Sequence, residues 1–169
     1  GTWSVADGVL NTLPETVYDV SVSVVDTAGN VGNDDTTNEL EIDLTAPVVS
    51  VDSLTTNDTT PSLSGSVDDS VAVVSVTVNG QTLAATNNQD GTWVLADDQL
   101  SALPSGTFDV SVTVIDPAGN AGSDVTEDEL VIDVAGPSVV SSSSSGDELG
   151  LVDRVVLEFS EPLSSSSFG

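Results

Sequence analysis

The segment Gly1–Pro47 realigns without a gap on Gly91–Pro137, and this internal duplication constrains the chain more than any single motif. Both copies carry, in the same order, Gly-Thr-Trp, Ala-Asp, Leu-Pro, Asp-Val-Ser-Val, Asp-x-Ala-Gly-Asn, Glu-Leu and Ile-Asp, and they close on Asp43-Leu-Thr-Ala-Pro47 and Asp133-Val-Ala-Gly-Pro137. Self-similarity at a fixed spacing indicates an array of like units, not one irregular enzyme. The period is 90 residues, the offset from Gly1 to Gly91. That is far longer than a solenoid turn and about the size of one small β-sandwich. Residues 1–46 read as the closing part of one unit, 47–136 as a complete unit and 137–169 as the opening part of a variant. The chain is accordingly expected to be a window on a longer protein.

Within the units the apolar residues alternate. Phe108-Asp-Val-Ser-Val-Thr-Val114 and its counterpart Tyr18–Val24 have the period of two of a half-buried strand, with Phe108, Val110, Val112 and Val114 turned inward. Further strands are expected at Val48–Leu54, Pro61–Val67, Val71–Val78, Gln81–Ala85, Thr92–Leu95 and Glu129–Ile132. Asn79-Gly80 has the composition of a two-residue hairpin turn. Helical periodicity is absent beyond a short turn at Asp97–Leu103. Trp3 and Trp93 occupy identical places in the repeat and read as core residues. About seven short strands with turn signals every 8–12 residues predict an all-β chain of tandem immunoglobulin-like sandwiches.

Charge narrows the partners. The chain carries 28 acidic residues against one base, Arg154, with no His, Cys or Met, and a formal charge of −27. Such a surface repels nucleic acid and anionic lipid and attracts cations. Catalysis has little to use: a serine nucleophile would lack a His or Lys base, and acid pairs are too abundant for one to stand out. No enzyme is expected. The Ser runs Ser141–Ser145 and Ser164–Ser167 read as strand-edge and loop residues, and Asn57-Asp58-Thr59 matches the N-glycosylation pattern.

The carboxylates at the unit ends carry the candidate chemistry. The period of two places Asp116 on the side of the core valines, where an unpaired carboxylate is costly. Asp116-Pro-Ala-Gly-Asn120 and Asp26-Thr-Ala-Gly-Asn30 are tight turns that leave oxygen ligands free. In a sandwich of this topology the same pole receives Asp68-Asp69 and the incoming linker with Asp43. An all-oxygen, multi-carboxylate site suits Ca²⁺, whereas Zn²⁺ and copper would draw on His or Cys. The predicted metal ligands are Asp26, Asp43, Asp68, Asp69, Asp116 and Asp133. The competing reading is that Asp caps turns with its own side chain, and Asp34, Asp35, Asp97 and Asp98 are assigned to that role.

The run Leu54-Thr-Thr-Asn-Asp-Thr-Thr-Pro61-Ser-Leu-Ser-Gly65, followed by Val-Thr-Val-Asn-Gly-Gln, Asp90-Gly-Thr-Trp93, Leu103-Pro and Asp116-Pro-Ala-Gly-Asn120, resembles the bacterial immunoglobulin-like repeats of giant type I-secreted adhesins of the RTX-type or Bap-like kind. The resemblance covers about Gly1–Pro137, and Phe159-Ser-Glu-Pro162 is similar to another bacterial variety. It implies an extracellular stalk on a bacterial surface, serving cell adhesion or biofilm formation, with Ca²⁺ at the junctions between neighbouring domains. Carried over, the junction ligands would be Asp43, Asp68, Asp69 and Asp116, with Asp133 serving the next junction. Glu161 falls where the third unit's acidic loop should be. The alternative is a surface filament in which each half-domain is completed by a neighbouring molecule's strands. A carbohydrate-binding module ranks third, since only 4% of residues are aromatic to build a platform.

Overall fold

The computed structural model describes residues 2–124, 126–146 and 152–164, without the side chain of Asp153. The chain is all-β. The first copy forms two separate two-stranded ribbons: β1 (Thr16–Tyr18) pairs with β4 (Leu40–Ile42), and β2 (Ser23–Val25) with β3 (Val31–Asn33). The central unit forms a complete two-sheet fold from β5 (Leu54–Thr56), β6 (Leu63–Ser66), β7 (Val73–Val78), β8 (Gln81–Asn87), β9 (Thr92–Leu95), β10 (Gly106–Phe108), β11 (Val110–Ile115), β12 (Ala121–Ser123) and β13 (Leu130–Ile132). One sheet runs β12-β11-β7-β8-β9-β6 and the other β10-β13-β5. A hairpin of β14 (Val139–Gly146) and β15 (Val152–Phe159) follows.

Alternation places the core where the sequence pattern predicts. Val74, Val76 and Val78 of β7 meet Val114, Val112 and Val110 of β11 in antiparallel register, and all six are buried with Leu63, Trp93, Leu95, Leu130 and Ile132. Asn79 and Gly80 both take positive φ, 47° and 77°, as the two-residue turn between β7 and β8 requires. Trp93 is anchored by its indole N–H, which donates to the Ser50 carbonyl at 2.9 Å. Gly65 makes that approach possible, since a Cβ there would lie 1.9 Å from the Ser50 oxygen.

Several expectations are corrected. Trp3 is 60% exposed, whereas Trp93 is fully buried, because strands equivalent to β5–β8 do not cover the first copy's sheet face among the described residues. The strand expected at Tyr18–Val24 is split into β1 and β2. Its counterpart breaks at Asp109, where the chain passes from one sheet to the other. Two acids hold that corner: Asp109 Oδ1 accepts the Asp128 N–H at 2.9 Å, and the buried Glu129 accepts the Val110 N–H through Oε2 at 3.0 Å. The strand expected from Val48 to Leu54 reduces to a bridge at Val49 opposite Val67 and the short β5. Beyond Ser164, the second Ser run lies outside the described residues.

Candidate functional site at the pole of the central unit

The linker meets the central unit at the turn after β11. Asp116 is buried at the end of this strand, and its Oδ1 accepts the N–H groups of Gly119 and Asn120 at 2.7 and 2.8 Å. Its Oδ2 accepts the Asn120 side-chain amide at 2.8 Å. The partner that a buried carboxylate demands is therefore supplied first by N–H donors of its own turn. Burial pushes this carboxyl up, but the donated bonds from Asn120, Gly119 and Ala118 outweigh it and hold the group below the usual aspartate range. Gly119, at φ 96°, closes the turn.

The same turn grips the incoming chain. The Asn120 amide also donates to the Asp43 carbonyl at 3.1 Å. Pro47 is buried, and its carbonyl oxygen lies so close to Gly122 that a Cβ there would approach within 1.8 Å. Asp68 completes the attachment: its Oδ1 accepts the Val48 N–H at 2.7 Å, and its own N–H donates to the Val48 carbonyl at 3.1 Å. Asn87 braces the adjoining loop by donating to the Asp69 and Ala72 carbonyls at 2.8 and 3.0 Å.

Four of the six predicted metal ligands face one open pocket. It has a volume of about 360 Å³, and Asp43, Asp68, Asp69 and Asp116 line it together with Thr45, Ala46, Pro47 and Ser70. A neighbouring cleft adds Glu41. The donor set is all oxygen, which fits Ca²⁺ in kind. Like Asp116, two more of these carboxylates serve their local backbone, Asp43 Oδ1 accepting from Thr45 N and Asp69 Oδ1 from Val71 N, whereas Asp68 serves the linker at Val48. Among the described residues no three acidic groups converge as a ready-made metal shell.

The other two predicted ligands lie elsewhere. Asp26 belongs to the first copy and repeats the Asp116 turn, accepting from Ala28 N, Asn30 N and the Asn30 amide at 2.7–2.8 Å. The Asn30 bonds lead in holding its carboxyl below the ordinary aspartate range. Asp133 follows β13, caps the Ala135 N–H at 3.0 Å and donates its own N–H to Thr56. Of the acids assigned to turn capping, Asp34 behaves so, its Oδ1 taking the Thr36 N–H and hydroxyl, whereas Asp98 Oδ1 takes the hydroxyl of the sequence-distant Thr60.

Sequence reasoning took the Asn120 amide for a free oxygen ligand, whereas it grips Asp43 and Asp116, and it missed Gly122 and the buried Glu129. The signal for Glu129 was present, since Glu-Leu recurs in both copies and Glu39 Oε2 accepts the Val20 N–H as Glu129 does that of Val110.

Paired sheets, short strands and a crossing corner define an immunoglobulin-like sandwich. Residues 48–134, just over half of the chain, match the bacterial Ig-like domain family, and the chain belongs to it. Domains of this family are typically extracellular or surface-borne and typically non-enzymatic. No curated protein matches the chain. No helix among the described residues is long and apolar enough to cross a membrane.

Proposed function

We propose that the chain is an extender segment of a large extracellular bacterial adhesin, whose tandem Ig-like units hold a terminal binding region away from the cell. The observation that carries this reading is the grip on the linker. Asn120 on the Asp43 carbonyl, Gly122 against Pro47 and Asp68 on Val48 fix the incoming chain to the pole of the unit it enters. A module joined this way transmits direction from one unit to the next, which a stalk needs and a free linker does not provide.

Calcium is the second part of the proposal. When bound, Ca²⁺ would supply positive charge and oxygen coordination at the junction, held by Asp43, Asp68, Asp69 and Asp116. These residues themselves place four acids around one pocket in a chain with a single base, so their mutual repulsion opposes closure of the linker on the pole. Relief of that repulsion would rigidify the junction. With a Kd of ~0.1 mM and ~10 mM Ca²⁺, one site adds about 2.7 kcal/mol.

Calorimetry with Ca²⁺ and then with EDTA, at matched ionic strength, tests the metal. The expected outcome is a higher melting temperature in Ca²⁺, and an unchanged one removes the metal from the reading. Small-angle scattering of chains carrying added 90-residue repeats tests the stalk. The maximum dimension should grow by roughly 40 Å per repeat while the particle stays monomeric. Concentration-dependent polymers would favour the filament instead.

A further inference from the structure

The chain holds nine asparagines, and only Asn79 is followed by glycine. A side-chain amide is open to attack by the next residue's backbone nitrogen chiefly when that residue has no Cβ in the way. Four of the other amides are already engaged. Those of Asn30 and Asn120 bind the carboxylates of their own turns, that of Asn87 binds the Asp69 and Ala72 carbonyls, and that of Asn88 binds the Thr92 hydroxyl. Asn11, Asn33, Asn38 and Asn57 precede Thr, Asp, Glu and Asp, whose side chains crowd the same nitrogen. Asn79 and Gly80 are both exposed at the tip of the β7–β8 hairpin, and a Cβ on Gly80 would meet nothing within 4 Å. Among the described residues no hydrogen bond holds the Asn79 amide.

We propose that Asn79-Gly80 is a self-modification site, at which the amide is lost as ammonia and water completes the conversion to aspartate and isoaspartate. The Gly80 nitrogen gives up its proton and attacks the Asn79 side-chain carbonyl carbon. The new C–N bond closes a cyclic imide, the bond to the amide nitrogen breaks, and ammonia carries the proton away. Water then opens the imide. Cleavage of its bond to the former side-chain carbon yields aspartate, and cleavage of its bond to the main-chain carbon yields isoaspartate.

The flanking strands set the rate. Asn79 and Gly80 form a left-handed pair, with φ of 47° and 77°, and the imide ring demands a different backbone shape, so it forms only when the turn opens. Gln81 resists that opening: its Oε1 accepts the Ser101 N–H at 2.7 Å and its Nε2 donates to the Ser101 carbonyl at 3.2 Å. The Thr77 and Thr82 hydroxyls meet across the same two strands at 2.9 Å. The two products then differ in effect. Aspartate keeps the turn, because Asp-Gly suits the same two-residue geometry. Isoaspartate routes the chain through the former side chain and adds a methylene, which breaks the pairing of Gln81 with the fully buried Val78. Its new carboxylate also sits beside strands that contain no charged residue. One altered residue thus lowers the stability of the whole central unit.

The test ages the full chain in mildly alkaline buffer and maps its peptides by mass, with isoaspartate read by enzymatic carboxyl methylation. The expected result is replacement of NH₂ by OH at Asn79 ahead of every other asparagine. Gln81→Ala should convert roughly fivefold faster, the effect of bonds lost from the closed turn. Gln81→Glu, which keeps the acceptor for Ser101, should fall between. The isoaspartate fraction should melt below the unmodified chain, whereas Asn79→Asp should melt with it. An Asn79 left intact in the folded chain after the urea-unfolded chain has converted, a second asparagine reacting as fast, or a folded Gln81→Ala converting at the parent rate would each overturn the inference. Should Gln81→Ala not fold, the rate of Gln81→Glu decides by the same criterion.

Discussion

At the scale of single residues, Asp116 serves its own turn and stands at the junction. It is a turn cap, accepting three N–H bonds, and it also lines the junction pocket. Alternation through Val110, Val112 and Val114 made its burial legible. Its donors were not, because the Asn120 amide is recruited by folding of the turn. Its carboxyl is held below the ordinary 3.8, so the bonds stabilise the fold fully above that value, and this contribution disappears as pH falls through the lower folded value. Acid titration of the melting temperature should therefore show a loss below about pH 4, and Asp116→Asn should flatten that acid limb. Asp116→Ala and Asp43→Ala should both remove most of the Ca²⁺ response in isothermal titration, whereas Asp97→Ala should leave it intact. Equal loss in all three would mean diffuse screening by the acidic surface. The position of Trp3 was illegible for a different reason. Burial of a core tryptophan depends on strands supplied from elsewhere in the chain, so identical local sequence around Trp3 and Trp93 leads to opposite exposure.

Among the elements, the long alternating strands and the Asn79-Gly80 hairpin were readable because period and turn chemistry agree. The break between β10 and β11 was not, since the alternation runs across Asp109 unbroken while the backbone changes sheet. β12, Ala-Gly-Ser, was missed for want of β-branched residues. Its glycine serves the close approach of Pro47 instead of strand propensity. Gly122→Ala should accordingly displace the linker, seen as a lower melting temperature and faster exchange of the Val48 amide. Trp93→Ala should cost about 3–5 kcal/mol by chemical denaturation, because it removes a fully buried ring together with the donor to Ser50. Trp3→Ala, on an exposed face, should change the stability of the central unit by less than about 0.5 kcal/mol.

For the whole molecule, duplication was the most informative feature of the sequence, since it set the 90-residue period, while the fold class followed from strand alternation and turn signals. The relation between copies was beyond it, because the linker grip arises from a carbonyl, an amide and a missing Cβ that carry no motif. One pairing has a mechanical consequence. β5 lies near the point where the chain enters the central unit, β13 near the point where it leaves, and the two run parallel, Leu54 beside Leu130 and Thr56 beside Ile132. Tension applied through the linkers therefore pulls these strands lengthwise past each other. The bonds from Leu54 N–H to Glu129 and from Asp133 N–H to Thr56 are loaded together, so neither opens before the other. Thr113 and Ser123 face each other across β11 and β12, and force applied there would instead peel the strands apart one bond at a time. Single-molecule pulling through the linkers should need distinctly higher force than pulling through cysteines placed at Thr113 and Ser123. On this geometry the unit should yield last along the line joining its two linkers.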